Sequence, residues 1–308
     1  MPEAPAAPVH ALRGLAVFAE PPGDEHAGIG AALGLEAVPT PADYSDLFLF
    51  QLYPYASVYL GPEGMMGGVA RERIAGFWRA VGLTPPPEPD HLAALLGLYA
   101  SLVERAHPTD SSATSPEAPG DAGPEAEAES LLSGQAARAL FDEHLAPWIF
   151  AWLDRMMELG SGAYATWASL LHDVLAEEFR VSDSPSADLQ HLRDAPPLPD
   201  PREDGTEAFV TGLLAPVRSG IILTRADLAR IARALDLGLR AGERRYALEH
   251  LLAQDPERTL AALAAEARRQ AGRHQERAPW LGESAAFLAD RGRATAALCD
   301  ELVESEPT

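Results

Sequence analysis

The stretch YSDLFLFQLYPYASVYLGPEG, residues 44–64, places six Tyr and Phe side chains within 21 residues, more than one core face can absorb. Tyr44, Leu47, Phe48 and Leu52 recur at helical i, i+3, i+4 spacing, and Leu49 and Phe50 fill the other side. The spacing therefore predicts a helix buried nearly all round. Thr40, Pro41 and Asp43 supply an N-cap, a first-turn proline and an N3 carboxylate for its start. Pro54 disfavours helical geometry at Tyr53 and removes a donor, so the chain is expected to leave the helix there. Residues 54–64 then read as an aromatic-lined, partly open segment and a candidate binding surface. The alternative is that Tyr55 and Tyr59 merely cover a core edge.

Outward from this stretch the pattern is helical in both directions. Val9, Leu12, Leu15, Ala16 and Ala19 form one apolar face that ends at Pro21 and Pro22. Ile74, Phe77, Trp78 and Val81 form a second stripe, stopped by Gly82 and the prolines at 85–87. Asp90 reads as the N-cap of a helix with Leu92, Leu95, Leu96, Tyr99, Leu102 and Val103 on its core face. Residues 107–130 have no aromatic or aliphatic core residue and read as a disordered loop. Two strong faces come next, one from Phe141 to Met156 and one from Tyr164 to Phe179. A proline-rich acidic linker, 182–205, precedes helices expected near 206–216, 224–237, 243–254, 256–275 and 280–303, with Thr224 and Asp227, and Asp255 and Pro256, as start signals. No sustained period-2 pattern occurs, so the fold is expected to be all-α. The division expected is a helical core (1–181), the linker (182–205) and a C-terminal helical block (206–308).

The 308 residues are 47% hydrophobic, enough for a large core. No apolar run approaches the length of a membrane span and no signal-peptide pattern opens the chain, so a cytoplasmic protein is expected. The single cysteine, Cys299, excludes an intramolecular disulfide and a cysteine-based zinc cluster. All 24 basic residues are Arg, against 46 acids, for a net charge of −22. Residues 1–206 hold 31 acids and 10 Arg, whereas 207–308 hold 15 acids and 14 Arg. Such a field repels nucleic acid and anionic membrane and attracts a basic partner. The glycines at 28–34 are spaced G-x-G-x-x-x-G with no strand-like run before them, which does not fit a dinucleotide loop. Phosphate-loop and serine-hydrolase motifs do not occur.

Two short constellations carry chemistry: Glu88-Pro89-Asp90-His91 at a helix start, and Glu143-His144 with Pro147-Trp148 shortly after. An acid beside a histidine suits a metal or a helical metal-dependent enzyme. Adjacent residues lie about 100° apart on a helix, however, and no H-E-x-x-H or paired Glu-x-x-His motif is present. No metal or other cofactor is expected.

In chain order, YSDLFLFQLYPYASVYLGPEG, PEPDHLAALL and FDEHLAPW resemble the three-block pattern of the TorD/DmsD-like chaperones that mature molybdenum-containing redox enzymes. The resemblance covers about Tyr44 to Phe179. It implies an all-helical, non-catalytic protein that binds the twin-arginine leader and the apo form of a partner oxidoreductase subunit in the cytoplasm. It maps peptide binding onto Asp90 and His91, with Tyr53, Tyr55, Tyr59 and Leu60 nearby. Glu88, Glu143, His144 and Trp148 join them as candidates, because paired arginines need carboxylates and aromatic faces, and the flexible Met65 and Met66 suit a greasy groove. Ala94 and Leu95 stand where many members carry an acid, and residues 107–130 lengthen the loop between blocks. A helical adaptor that binds through the C-terminal block is the further alternative.

Overall fold

The computed structural model describes residues 6–107, 124–160, 162–181, 189–239 and 242–305. Among these the fold is all-α, and the one extended pairing is an isolated antiparallel bridge between Tyr55 and His91. The first part comprises α1 (Ala6–Val17), α2 (Glu25–Ala32), α3 (Pro41–Tyr44), α4 (Ala56–Leu60), α5 (Gly68–Ala80), α6 (Leu92–Ala106), α7 (Pro124–Leu140), α8 (Ala146–Leu159) and α9 (Ala163–Val181). Short α10 (Gln190–Arg193) and α11 (Pro201–Asp204) lead to α12 (Thr206–Leu213), α13 (Pro216–Ser219), α14 (Arg225–Leu235), α15 (Arg244–Gln254), α16 (Pro256–Leu281) and α17 (Glu283–Ser305).

Three of the helix-start signals are met. Thr40 with Asp43, and Thr224 with Asp227, form reciprocal capping boxes at the starts of α3 and α14. Asp255 caps α16, with Pro256 in its first turn.

After Tyr44 the helix widens into a π-turn, Ser45–Leu49, closed by Leu52 N–H donating to Leu47 O at 2.7 Å. The extra residue per turn rotates the downstream side chains about the helix axis. Phe48 is fully buried among Tyr44, Trp152, Tyr164 and Trp167, with ring centroids 4.9–6.1 Å away. Leu49 and Phe50 instead face outward, 47% and 48% exposed, so the helix is not buried all round. The residues after Pro54 differ in the opposite sense. They form α4, whose five side chains are all buried.

Three further expectations are corrected. Of the stretch 107–130, residues 108–123 lie outside the described residues, but from Pro124 the chain is helical, and α7 packs on α6 with Ser130 Oγ donating to Ala106 O at 2.6 Å. Of the stretch 182–205, residues 189–205 run as an ordered strap with Leu189, Leu192 and Ala195 buried against Val217. The break expected near 275–280 falls instead at Gly282, in the left-handed region (φ +66°), and α16 continues through Pro279. Trp280 explains the extension: it packs edge-on against Phe150 at 5.1 Å and Phe179 at 6.0 Å, anchoring the end of α16 on the first core.

The C-terminal block has its own core around Phe209, Leu213, Leu228, Leu248 and Leu263, yet it is not a separate body. Ile222, Leu281 and Ala285 belong to the first core. Across the seam Arg155 on α8 meets Asp227 on α14, Arg269 and Arg273 on α16 meet Glu158, and Arg277 meets Asp154. Gly64, at the end of the aromatic stretch, sits in the left-handed region (φ +63°), where an added Cβ would lie 2.5 Å from Leu214 O. Only glycine lets the backbones approach that closely.

Candidate peptide-binding site

The extended bridge at Tyr55 and His91 is the scaffold of the first cluster. Ala56 N–H donates to Asp90 O at 2.9 Å and Leu92 N–H to Pro54 O at 2.8 Å, which pins the start of α4 to the start of α6. His91, not Asp90, is the N-cap of α6, its Nδ1 accepting from Ala93 N–H at 3.3 Å. Asp90, 2% exposed, accepts from Ser57 N–H at 3.3 Å and so supports the first turn of α4 instead. Sequence reasoning placed this cap on the wrong helix because the neighbouring helix start is 33 residues distant in the chain.

Around this bridge the solvent-facing groups are acidic and aromatic. Tyr55 Oη donates to Glu88 Oε2 at 2.9 Å, and its ring meets His91 edge-on at 4.9 Å. Glu20, exposed, approaches His91 Nδ1 at 3.4 Å. Burial pushes the His91 imidazole below its ordinary pKa, against the opposing pull of Glu20, Glu88 and Asp90. Burial and then the Glu88 hydrogen bond raise the Tyr55 phenol, which stays a proton donor. The result is a corner with two exposed carboxylates, a tyrosine face and a neutral histidine. Glu20 was missed because it lies far upstream, at the end of a helix whose pattern carries no sign of the site.

The second group of candidates is interior except for the half-buried Glu143. Tyr59 stacks on Trp148 at 5.0 Å with rings 5° apart and donates to Tyr53 O at 2.8 Å, and Leu60 is buried beside it. Trp148 Nε1 donates to His144 O at 2.8 Å. Glu143 accepts from Leu189 and Gln190 N–H at 2.6 and 3.0 Å, capping the strap's helix α10. His144 Nδ1 lies 3.0 Å from His191 Nε2, in a buried pair that fastens the strap to the first core. The structure thus gathers Tyr55, Glu88, Asp90 and His91 at the corner, and Tyr59, Leu60, Glu143, His144 and Trp148 in the packing behind it. His191 was legible in principle: Leu189 and Leu192, at i, i+3, mark a short packed turn within the proline-rich stretch.

Burial drives the pKa of His144 down to about 3 and of His191 to about 4, with the nearby Arg73 further disfavouring a proton on each and Asp194 opposing the shift at His191. The unfolded chain binds protons at both sites below the ordinary value of 6.5, whereas the folded chain does not until pH nears 4. Stability therefore falls as pH drops from neutrality toward 4. Urea midpoints measured across pH 7 to 5 are expected to fall more steeply in the native sequence than in a His144→Leu/His191→Leu variant. Parallel slopes would remove this pair from the acid response.

A third feature adjoins the corner. Tyr53, two residues before Tyr55, lines a groove of about 810 Å³ together with Leu49, Phe50, Met65 and Met66 and with Arg225, Arg244 and Arg245.

Among the described residues no group of three or more His, Cys, Asp or Glu is placed to hold a metal ion, and no helix is long and apolar enough to cross a membrane. His91 faces Tyr55 and Glu20, whereas His144 faces Phe77 and His191, so the two acid/His pairs form no common site.

No curated protein and no solved structure matches the chain. Residues 28–154 match the family described as nitrate reductase delta subunit. That span holds the aromatic stretch, the Tyr55–His91 bridge and most of α8, in the order the sequence pattern set out. Residues 28–154 thus resemble the nitrate reductase delta subunit family, a likeness consistent with a TorD/DmsD-like maturation chaperone for a redox enzyme.

Proposed function

We propose that this protein holds the apo form of a molybdenum-cofactor oxidoreductase subunit in the cytoplasm by binding its twin-arginine leader, without catalysing a reaction itself. The observation that carries the reading is the corner at Tyr55. Its exposed Glu88 and Glu20 flank a tyrosine face on a backbone bridge that joins two helix starts. A guanidinium can fork onto a carboxylate while stacking on an aromatic ring, and an ammonium cannot do both. Asp90 and His91 act behind this rim by fixing the starts of α4 and α6.

Titration of a fluorescent leader peptide with paired arginines, and of the same peptide with paired lysines, tests the reading. The arginine peptide is expected to bind about tenfold more tightly, with the advantage shrinking at high salt. Glu88→Gln keeps an acceptor for Tyr55 but removes the charge, and is expected to weaken the arginine peptide by about tenfold. Equal affinities for the two peptides would refute the guanidinium argument.

A further inference from the structure

Two exposed surfaces of this chain are complementary and lie on different elements. The first is the groove beside Tyr53. Phe50, Met65 and Met66 are 48%, 67% and 59% exposed there, although side chains of this size are ordinarily covered. Its lining includes three arginines against two glutamates, Glu63 and Glu243, in a chain of net charge −22. Among the described residues neither Arg225 nor Arg244 pairs with a carboxylate: Arg225 lies over the Phe50 ring at 5.5 Å, and Arg244 donates to Leu223 O.

The second surface is the N-terminal half of α7. Leu131 and Leu132 are 64% and 65% exposed, and Glu125, Glu127 and Glu129 precede them, all exposed. None of the three glutamates has an ion-pair partner among the described residues. Glu125, Glu129 and Leu132 fall at i, i+4, i+7 and so share one face. This is an apolar ridge with an acidic edge, opposite in sign to the groove. The ridge is clamped to α6, while the groove is framed by α4, α12, α14 and α15, so the two faces belong to separate parts of one copy. Residues 108–123 and 182–188 carry acids but no aliphatic or aromatic side chain larger than Ala or Pro, and cannot supply an apolar filling.

We propose that a second copy of this chain fills the groove with its α7 ridge, Leu131 and Leu132 covering Phe50, Met65 and Met66 while the glutamates meet Arg225 and Arg244. The contact is heterologous, because the face used by one copy differs from the face used by the next. It does not depend on the leader reading, which concerns the corner at Tyr55.

Light scattering coupled to size exclusion, with the full chain run from low to several hundred micromolar, tests the proposal. The native protein is expected to gain mass with concentration and to lose that gain at high salt. Met65→Ser/Met66→Ser and Leu131→Ser/Leu132→Ser change only exposed positions, and each is expected to stay monomeric with unchanged circular dichroism. An equimolar mixture of the two variants is expected to give a complex of two chains that grows no further, since one retains the ridge and the other the groove. A native chain that is monomeric at every concentration overturns the proposal and leaves the groove to an acid-edged helix of another protein. A native chain that associates while the mixed variants do not pair overturns it as well, placing self-association on another face.

Discussion

Asp227→Ala is expected to lower the stability of the whole chain by about 3–5 kcal/mol, the cost of breaking a buried ion pair and losing a helix cap together, with Arg155 left to Glu158 alone. Arg155 is 3% exposed, and its Nη2 donates to both carboxylate oxygens of Asp227 at 2.6 Å. Asp227 is equally buried and also accepts from Thr224 N–H and Oγ at 2.9 and 2.6 Å, closing the capping box of α14. Burial works to raise its pKa, yet Arg155 and Thr224 together hold the carboxyl below its ordinary value. Its contribution is therefore fully present above the usual aspartate range and is lost only as pH falls below it. Asp227→Asn separates the two roles, since Asn caps a helix about as well as Asp but leaves the Arg155 guanidinium with Glu158 as its one carboxylate partner among the described residues. Urea unfolding is expected to place Asn between the native residue and Ala, within one cooperative transition, because the pair spans the seam between the first core and the C-terminal block. An Ala variant within 1 kcal/mol of native stability would show the seam to be marginal.

The second large effect distinguishes two phenylalanines two residues apart. Phe48→Ala is expected to cost about 3–5 kcal/mol, because its ring is enclosed by Tyr44, Trp152, Tyr164 and Trp167 and those rings cannot close over the space left behind. Phe50→Ala is expected to change stability by less than about 0.5 kcal/mol, since half of that side chain is already in water. Thermal or urea denaturation of the two variants side by side reads the difference. Similar losses at both positions would mean that Phe50 is covered in solution, as a second copy seated in the groove would cover it, and dilution would then restore the contrast.

What the sequence alone could decide was whatever depends on neighbours in the chain. Capping boxes at Thr40 and Thr224, the apolar stripes of α6, α8 and α9, and the absence of alternating patterns stem from local geometry, and they were sufficient for an all-α fold and for the resemblance across 44–179. The π-turn at Ser45–Leu49 was not legible, because the same residues satisfy an ordinary helical spacing and only packing around Phe48 and the Leu52–Leu47 hydrogen bond selects the wider turn. Tertiary structure likewise decided which helix Asp90 supports, brought Glu20 to His91 across 71 positions, and turned Glu143 and His144 from candidate ligands into fastenings for the strap. It also joined the C-terminal block to the first core through Arg155 and Asp227, 72 residues apart. A buried carboxylate, a cap and a binding carboxylate are the same letter in a sequence, and only the three-dimensional position of the group it faces sets them apart.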